Sequence, residues 1–461
     1  MDMQTSLMRQ LDNPNLTCDQ RAELRCQSAK ELEDAGDYEA ARKIMGELWR
    51  RIGDSPQTYG LEQVTSAEVL LRAGVLTGVL GSKNQITGAQ ETAKNLISES
   101  LSIFESLRYA KKIAEAQIEL ALCYWRTGEY DEARDVLKDA LSRLTTNSEL
   151  KAIAVLRWAI VELEANRYHV SLRILQENAD LFEMIKSHNR KGSYHHTLAN
   201  VLENLWESEK QTEYLDRAFV EYAAASYHFE QAGHKPYLAH VENNLGFLYF
   251  KIHRFEEAHK HLECGRRRFI NLKNSSFVAQ VDETRARVFL AERRYAEAEK
   301  AAKSAVGLLE SGGQQGLLSE ALITYGRALA RLGCEDQGYV VLRRAIRVAQ
   351  ESGAVNRAGE AALAIFEELG ERTILQIREA PPRGEVVQRG EESFSGSGLI
   401  EVRRYEHDLI KQALVRAEGS VSQAARLLGT SHQHLARILE TRHQDLLPLR
   451  TPVKRRRKRN A

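Results

Sequence analysis

The chain has 461 residues, of which 43% are hydrophobic and 28% are charged, and its formal net charge is +1. This balance is typical of globular proteins, and the length allows several domains. No run approaches the roughly 18 apolar residues that a membrane span requires, and MDMQTSLMRQLDNPNL lacks the basic start and apolar stretch of a secretory signal. We therefore expect a cytoplasmic protein with no membrane partner.

Cysteine usage agrees with a reducing compartment. The five cysteines are odd in number and show no CxxC spacing. We interpret them as reduced and mostly buried small residues. They are Cys18, Cys26, Cys123, Cys264 and Cys334.

The body of the chain repeats one pattern, in which a small residue is followed four positions later by a larger apolar residue and usually, three after that, by a second small residue. The step between units is 40 residues three times in succession, which chance does not readily produce. A longer step precedes the second unit, and NLWESEKQTEYLDRAF predicts a longer connection within the fifth. The first small residues are Ala41, Ala93, Ala133, Ser171, Ala218, Ala258, Ala298 and Gly338.

An aromatic residue often stands three positions before the small residue, preceded two positions earlier by Gly36 or Gly128 in the clearest units. With ELALCYWRTGEYDEA and NNLGFLYFKIHRFEEA, this pattern resembles the tetratricopeptide repeat from about Arg21 to Leu369. A helix pair with small residues on one face cannot bury that face alone, so the resemblance implies a superhelix of stacked pairs. The aromatic residues are Tyr38, Tyr130, Tyr168, Phe255 and Tyr295.

In tetratricopeptide arrays the inner faces of the first helices form the usual binding surface. By repeat position, the resemblance implies a partner-binding set. Asn can pair with a peptide backbone and Arg with a carboxylate or phosphate, so we expect a protein, peptide or small ligand there. The alternative for each residue is a solvated or packing role. The set is Asn243, Phe247, Phe250, Arg287 and Arg327.

After the repeats, ALAIFEELGERTILQI predicts a helix that caps the stack. REAPPRGEVVQRGEESFSGSG follows, and its two prolines, Pro381 and Pro382, with a run of Gly, Ser and Glu, indicate a linker. We expect the two halves of the chain to move independently unless a partner holds them.

The segment VSQAARLLGTSHQHLARIL, from Val421 to Leu439, predicts a helix-turn-helix. Ala424 and Ala425 allow two helices to approach closely, and Gly429 stands where the first helix must stop. Leu427, Leu428, Leu435 and Ile438 would close a small apolar centre, leaving the polar residues at the start of the second helix to face outward. The alternative is a helical hairpin of an ordinary bundle.

RAEGSVSQAARLLGTSHQHLARIL resembles the Fis-type helix-turn-helix that ends bacterial nitrogen-regulator-type activators, over roughly Tyr405 to Leu446. Where members of that family often have Arg or Asn-Arg followed by Thr, this chain has Ser-His-Gln-His. The resemblance implies double-stranded DNA as a partner, with contact residues just after the turn and further along the chain, including a basic residue of the second helix. They are Ser431, His432, Gln433, His434, Arg437 and Arg442.

One further helix precedes this unit, marked by Tyr405, Leu409, Ile410, Ala413, Leu414 and Ala417 and ended by Gly419. In the Fis-type resemblance, helices in this region contribute to dimerisation, which matches binding to two half-sites. Alternatively, the helix completes a monomeric three-helix core. Both interpretations stay open.

Charge is distributed unevenly along the chain. From Arg403 to Ala461 there are 14 Lys and Arg against 5 Asp and Glu, a net charge of +9, whereas the remainder carries −8. A basic end is typical of a chain that binds a polyanion. The tail predicts phosphate contacts, against the alternatives of a solvated tail or a nuclear address. Its predicted contact residues are Lys454, Arg455, Arg456 and Arg457.

Motifs for chemistry are not found. The sequence has no GxxxxGK[ST] loop, HExxH or GxSxG, and its His pairs have no further ligand at metal spacing, so we expect no enzyme activity, cofactor or metal. The predicted fold is all-α: a tetratricopeptide-type helical-hairpin superhelix followed by a small helix-turn-helix domain. Its predicted divisions are an N-terminal segment (1–20), a repeat array with its capping helix (21–378), a linker (379–399), a Fis-type domain (400–447) and a basic tail (448–461).

The sequence thus predicts a bacterial, sequence-specific, nucleoid-associated transcriptional regulator whose repeats sense or dock a partner. The alternative is a tetratricopeptide scaffold whose DNA-binding end is degenerate or non-specific.

Overall fold

The computed structural model describes residues 15–84, 86–310, 314–352 and 354–379, together with 407, 410–411, 413–415, 417, 419–427, 432–441 and 443–449. Regular structure in these residues is helical throughout. The chain divides into two compact units, Met1–Leu272 (unit 1) and Lys273–Ala461 (unit 2).

The described residues of unit 1 form six helix pairs. In pairs 1 to 3 the helices are α1 Cys18–Asp34 and α2 Tyr38–Met45, α3 Gln63–Lys83 and α4 Ala89–Ser106, and α5 Ala110–Thr127 and α6 Tyr130–Arg143. Pair 4 consists of α7 Glu149–Glu164 and α8 Tyr168–Glu177, followed by the short α9 Ala179–Met184. Pairs 5 and 6 are α10 His188–Glu209 and α11 Thr212–Gln231, and α12 Lys235–Lys251 and α13 Phe255–Asn271.

Unit 2 continues with two more pairs and ends in the short helices of a separate core. Pairs 7 and 8 are α14 Ser275–Ala291 and α15 Tyr295–Glu310, and α16 Gln315–Arg331 and α17 Glu335–Glu351. The helix α18 Val355–Glu379 follows, then α19 Val421–Leu427, α20 His432–Thr441 and the 3-10 helix Gln444–Leu449.

The repeated small residues lie where the helices of a pair meet. All eight are buried, and the larger residue four positions later is fully buried in every unit, as the pattern predicts. Glycines in the first helices bring the helices equally close. A Cβ on Gly246 would lie 2.6 Å from Leu262 Cγ, and one on Gly326 would lie 2.5 Å from Leu342 Cγ. The small residues therefore fix the spacing within each pair.

Each predicted aromatic residue is the first residue of the second helix of its pair. Two positions earlier the backbone enters the left-handed region, with φ near +80° at Gly36 and Gly128. Asn166, His253 and Arg293 adopt the same conformation at the equivalent positions, with φ of 58° to 62°. The turn conformation is thus common to these units, although only some of them use glycine.

The two irregular units differ in how they take up their extra residues. The long step before Ala93 is a connection of residues 46–62, which places Trp49 in the core with 1% of its surface exposed. The prediction of a longer connection within the fifth repeat was wrong. The first helix of pair 5 continues to Glu209 and the second begins at Thr212, so the additional residues lengthen the helices rather than their loop.

The predicted capping helix lies within α18. Its Ala361, Ala364, Ile365 and Leu369 are buried in the core of pairs 7 and 8. Of the predicted linker (379–399), Glu379 ends α18 and the rest lies outside the described residues, as does the tail from residue 450 onward.

A charged network is buried between the first helices of pairs 1 to 3. Arg72, 2% exposed, bonds Glu33 at 2.5 Å and Glu115 at 3.0 Å, and Lys30 Nζ lies 2.5 Å from the same Glu115 oxygen. Burial opposes ionisation of Glu115, but Arg72, Lys112 and Lys30 together lower its pKa to about 2. Each of these charges requires its partner, because an unpaired buried charge is costly.

One described helix, α3, is long and apolar enough to cross a membrane by length and composition. In the structure 78% of its most apolar stretch is buried. Buried core helices of water-soluble proteins can have the same length and composition. The expectation that the cysteines are mostly buried was wrong: Cys26 and Cys123 are buried, Cys264 is intermediate, and Cys18 and Cys334 are exposed.

Candidate DNA-binding domain and ligand groove

The C-terminal helices enclose a core of their own. The helix predicted ahead of the helix-turn-helix supplies one side of this core, and α19, α20 and the 3-10 helix supply the rest. The buried residues are Ile410, Ala413, Leu414, Ala417, Val421, Ala424, Ala425, Leu435, Ile438, Leu439 and Leu446. Predicted core residues Leu427 and Leu428 have no described side chain.

The turn between the first helix and α19 is closed by backbone hydrogen bonds. Gly419, with φ of +80°, donates its N–H to the Leu414 carbonyl at 2.8 Å, and Ser420 donates to Ala417 at 2.8 Å. Ser420 then starts α19, because its side chain accepts the Gln423 N–H at 3.4 Å. A single short segment thus ends one helix and begins the next.

Arg437 lies on the outer side of α20. Its neighbours Leu435, Ile438 and Leu439 are buried, whereas Arg437 is exposed, as expected of a residue that reaches a DNA groove. The backbone of His432, Gln433 and His434 is helical, but their side chains are not described. The remaining predicted DNA contacts lie outside the described residues: Ser431, Arg442, Lys454, Arg455, Arg456 and Arg457.

The helix ahead of the helix-turn-helix packs within its own chain. Ile410, Ala413 and Leu414 are at most 5% exposed in the shared core, whereas Val415 is 62% exposed on the other side. This packing agrees with the three-helix-core interpretation. Dimerisation through the same region stays a prediction.

The sequence analysis did not predict a histidine contact that joins the first helix of this domain to the residues that follow α20. His443, 5% exposed, lies with its ring centroid 5.5 Å from that of His407, and His407 Nε2 lies 2.6 Å from Asp445 Oδ2. The hydrogen bond to His407 lowers the pKa of Asp445. Residues 36 and 38 positions apart in the sequence give no local signal of this contact.

The repeats of unit 1 form a groove across pairs 4 to 6. Its volume is about 430 Å³, and its lining comes mainly from the C-terminal halves of α7, α10 and α12. Four charged side chains line it, three acidic and one basic, which gives a net charge of −2. The lining residues are Leu163, Glu164, Asn166, Tyr168, Asn200, Glu203, Asn204, Glu207, Asn244, Phe247 and Lys251.

Lys251 occupies the acidic end of this groove. Its Nζ lies 2.7 Å from a carboxylate oxygen of Glu203, 2.7 Å from one of Glu207, and 4.2 Å from the centroid of the Phe247 ring. Burial raises the pKa of Glu164, whose carboxyl lines the same groove. The raised pKa favours the neutral form of Glu164, but Glu203 and Glu207 still outnumber Lys251 in the groove.

Amide side chains line the middle of the groove. Asn244 Nδ2 donates to Asn200 Oδ1 at 3.1 Å and lies 3.0 Å from His196 Nε2. The Tyr222 hydroxyl lies 2.7 Å from Asn200 Oδ1 and 2.6 Å from Glu203 Oε2, and burial raises its pKa. Such amides can exchange these internal bonds for bonds to a peptide backbone.

The predicted partner-binding residues have different placements. Phe247 lines the groove, and the ring centroid of Phe250 lies 6.1 Å from that of Phe247. Asn244, rather than the predicted Asn243, faces the groove. Arg287 and Arg327, in unit 2, bond carboxylates of their own unit, Arg287 with Glu283 and Glu320 and Arg327 with Glu367 and Glu368.

Comparison with known proteins supports a DNA-binding C-terminal end. Residues 401–439 match the model of the family described as "Bacterial regulatory protein, Fis family". The comparison with curated proteins found no match.

Solved structures of helical-repeat proteins resemble the chain at 12–14% identity, which shows the fold alone. The apo quorum sensor NprR from B. thuringiensis is 12% identical and has a TM-score of 0.54, with 75% of this chain and 92% of NprR covered. A signal transduction ATPase with a tetratricopeptide repeat sensor from Pyrococcus horikoshii is 14% identical, with a TM-score of 0.53 and coverage of 82% and 56%. The human IFIT1 dimer with PPP-AAAA is 13% identical, with a TM-score of 0.51 and coverage of 79% and 78%.

The chain is thus an all-α protein of tetratricopeptide-type helical hairpins that ends in a Fis-type helix-turn-helix.

Proposed function

We propose that this protein is a sequence-specific DNA-binding transcriptional regulator whose repeats sense or dock a protein, peptide or small ligand. The observation that carries the proposal is the Fis-type match at residues 401–439, on a segment with its own buried core. A packed three-helix core can hold α20 rigidly, and a rigid helix is what groove recognition requires. The basic C-terminal end adds attraction for phosphates.

Arg437 is the proposed base or phosphate contact for which the structure gives a position. It is exposed on α20, three residues after His434 and directly before the buried Ile438. An Arg in this position can bind a guanine edge with two hydrogen bonds. His432, Gln433 and His434 precede it on the same helix and complete the proposed reading surface, with Ser431 before the helix.

The groove of unit 1 is the proposed ligand-binding surface. Asn200, Asn204 and Asn244 offer amide donors and acceptors, and Phe247 offers an apolar face. The similar folds of a quorum sensor and of a tetratricopeptide repeat sensor support a sensing role for the repeats. Ligand binding would act on transcription through the DNA-binding end, in the cytoplasm at the nucleoid, without enzymatic chemistry. We also propose that the protein can bind two half-sites as a homodimer.

The proposal is tested by selecting bound fragments from a genomic DNA pool with the full-length protein, at a low and a physiological salt concentration. We expect an enriched motif that persists at the higher salt. Binding that is uniform across sequences and vanishes as salt rises would instead support a scaffold with a basic tail.

A further inference from the structure

The groove of unit 1 already holds one cation. Lys251, the last residue of α12, places its Nζ 2.7 Å from a carboxylate oxygen of Glu203 and 2.7 Å from one of Glu207. The centroid of the Phe247 ring lies 4.2 Å from the same nitrogen. The Lys251 side chain is 15% exposed, so the carboxylates and the ring replace much of the water that an ammonium group would otherwise bind. The lining of the groove can therefore stabilise a positive charge.

Carboxylate oxygens remain available beside this ammonium group. Both oxygens of Glu203 are engaged, one by Lys251 and the other by the Tyr222 hydroxyl at 2.6 Å. Glu207 pairs with Lys251 through one oxygen, and among the described residues its second oxygen has no hydrogen-bond donor. Glu164, which lines the groove and is exposed, forms neither an ion pair nor a hydrogen bond with any described group. The lining therefore keeps acceptors on two carboxylates that a ligand can reach.

The neutral side chains of the lining add further acceptors. Asn204 donates its Nδ2 to the Asn200 carbonyl at 2.8 Å, and no described group donates to its Oδ1. Asn166 Oδ1 accepts the Tyr168 hydroxyl at 2.7 Å and, as an amide oxygen, has a second lone pair. Such a lining suits a ligand group that carries several N–H donors and no acceptor, and a guanidinium is a group of this kind.

The charge of the lining also favours a cation. Glu203 and Glu207 contribute −2 and Lys251 contributes +1, which gives −1 while Glu164 is neutral and −2 when it is ionised. Burial raises the pKa of Glu164, and no charge of the described residues opposes that rise, so a cation bound beside it would favour the ionised carboxylate. An anionic ligand would instead add to the imbalance. The volume of about 430 Å³ lies within the range of small-molecule sites, roughly 300–1,000 Å³.

From this arrangement we infer that the groove of unit 1 binds a small organic monocation through a guanidinium group, which bonds the carboxylates of Glu164 and Glu207 beside Lys251. A guanidinium is planar and can meet a carboxylate with two parallel hydrogen bonds, whereas an ammonium group acts as a point charge. This inference rests on the proposed ligand-binding role of the repeats and names the chemical class of the ligand. The guanidinium can belong to a free small molecule or to an arginine residue of a peptide, and the experiment distinguishes these two sources.

The test measures ligand binding to the full-length protein by isothermal titration calorimetry at constant ionic strength. The probes are butylguanidinium, butylurea, which has nearly the same shape without the charge, and butylammonium, which has the charge without the planar donors. We expect butylguanidinium to bind with a Kd of about 1 mM or lower, and the other two probes to bind at least about tenfold more weakly. N-acetyl-argininamide distinguishes the sources. Binding tighter than that of butylguanidinium would indicate an arginine residue, and binding no tighter would indicate a free guanidinium compound.

Substitutions in the groove should change this binding in opposite directions. Glu164→Gln and Glu207→Gln each remove a negative charge and keep the size of the side chain, and each should raise the Kd of butylguanidinium at least about fivefold. Lys251→Met removes the competing cation and should lower that Kd severalfold. Because Lys251→Met leaves the carboxylate of Glu203 without its ionic partner, circular dichroism first checks that the variant is folded. If it is not, the two glutamine variants decide the inference.

Glu177→Gln is the control, because Glu177 is an exposed acidic residue of the same helix pair as Glu164 but does not line the groove. It should bind butylguanidinium as the wild type does. The inference is overturned if Glu164→Gln and Glu207→Gln also bind like the wild type, or if a folded Lys251→Met binds more weakly. It is also overturned if butylguanidinium does not bind, or if butylurea or butylammonium binds as tightly. Because DNA takes no part, failure here would leave the proposed DNA binding untouched.

Discussion

At the scale of single residues, we expect the half-buried His196 and His240 to contribute to how unit 1 responds to acid. Burial lowers the pKa of His196 to about 4, with a further contribution from the charge of His240. His196 also lies 3.0 Å from Asn244 Nδ2, so the neutral ring is held by a hydrogen bond. Burial similarly lowers the pKa of His240 to about 4.

This burial predicts a loss of stability in mild acid. The unfolded chain binds a proton at His196 as pH falls below the ordinary histidine pKa of 6.5, whereas the folded chain does so only near 4. The unfolded state is therefore favoured as pH falls from about 6.5 towards 4. Urea titrations at pH 7 and pH 5 measure the free energy of unfolding at each pH. Between pH 7 and pH 5 we expect this free energy to fall by about 1–2 kcal/mol less in His196→Gln than in the wild type.

The control for this experiment is His169→Gln, whose side chain is 64% exposed and pairs with Glu209 at the surface. It should lose as much stability as the wild type does. Equal losses in wild type and His196→Gln would mean that His196 is not the group that couples pH to folding.

Arg437 carries the most specific prediction for the DNA-binding domain. Arg437→Ala should weaken binding to a selected DNA site by about 1–3 kcal/mol if the side chain contacts a base edge, because the substitution removes two charge-assisted hydrogen bonds. Fluorescence anisotropy at physiological salt would measure this change.

Lys411→Ala is the matched control, since it removes an exposed positive charge from the same domain but from a different helix. It should have a smaller effect, equal on selected and random DNA. Unchanged affinity of Arg437→Ala would remove Arg437 from the proposed DNA-binding residues.

The sequence predicted individual side-chain contacts less well than it predicted the helices that carry those side chains. Of the partner-binding residues predicted by repeat position, Phe247 lines the groove, whereas next to Asn243 it is Asn244 that lines it. The predicted partner contacts of Phe247 and Asn243 stay predictions. The ion pairs of Arg327 with Glu367 and of Lys251 with Glu203 join residues 40 and 48 positions apart. Such partners depend on how pairs stack, which no local pattern records.

At the scale of elements, the turn between the two helices of a pair requires a left-handed residue. Gly36 and Gly128 meet this requirement without strain, whereas Asn166, His253 and Arg293 adopt φ near +60° with a side chain. Left-handed backbone costs a residue with a Cβ about 1–2 kcal/mol. The repeat fold therefore maintains this turn even where its sequence disfavours it.

Two substitutions at this turn should have opposite effects. Arg293→Gly should stabilise the protein by up to about 1 kcal/mol, because relief of strain exceeds the added flexibility of the unfolded chain. Gly128→Ala should destabilise it by about 1 kcal/mol, although no atom of the described residues, apart from its chain neighbours, lies within 4 Å of the added Cβ. Chemical denaturation would measure both, and the same sign for both changes would contradict the strain argument.

The elements themselves were largely predictable, because each small residue, its apolar partner and the aromatic start of the second helix recur with the pair. The wrong prediction of a longer connection in the fifth repeat has a physical reason. NLWESEKQTEYLDRAF contains charged residues that suit either a loop or an exposed helix face, and Glu, Lys and Gln are good helix formers. Only packing against neighbouring pairs decides that α10 and α11 extend through it.

At the scale of the whole molecule, charge separates the chain into an acidic body and a basic end, with net charges of −8 and +9. The proposed DNA-binding end thus differs in charge from the groove of unit 1, whose charged lining residues sum to −2. DNA should be attracted to one end of the chain, while the acidic groove disfavours polyanions.

Truncation after Pro452 tests the contribution of the basic tail, since it removes six Lys and Arg residues. The slope of log affinity against log salt should fall by about 0.9 for each phosphate that the tail no longer neutralises, on selected and random DNA alike. Replacing the same six residues with Gln should reproduce the change without shortening the chain. A slope that stays the same in both variants would exclude the tail from phosphate binding.

Sequence-specific recognition by the C-terminal domain is the central claim, and the ratio of two affinities tests it most directly. The full-length protein is titrated against its best selected site and against a scrambled duplex of equal length and composition at physiological salt. Specific regulators bind their sites at least about 10³-fold more tightly than other DNA, and we predict a ratio of that order or greater. A ratio near one, with both affinities falling away as salt rises, would contradict the claim and leave a helical-repeat protein whose basic end binds DNA without reading it.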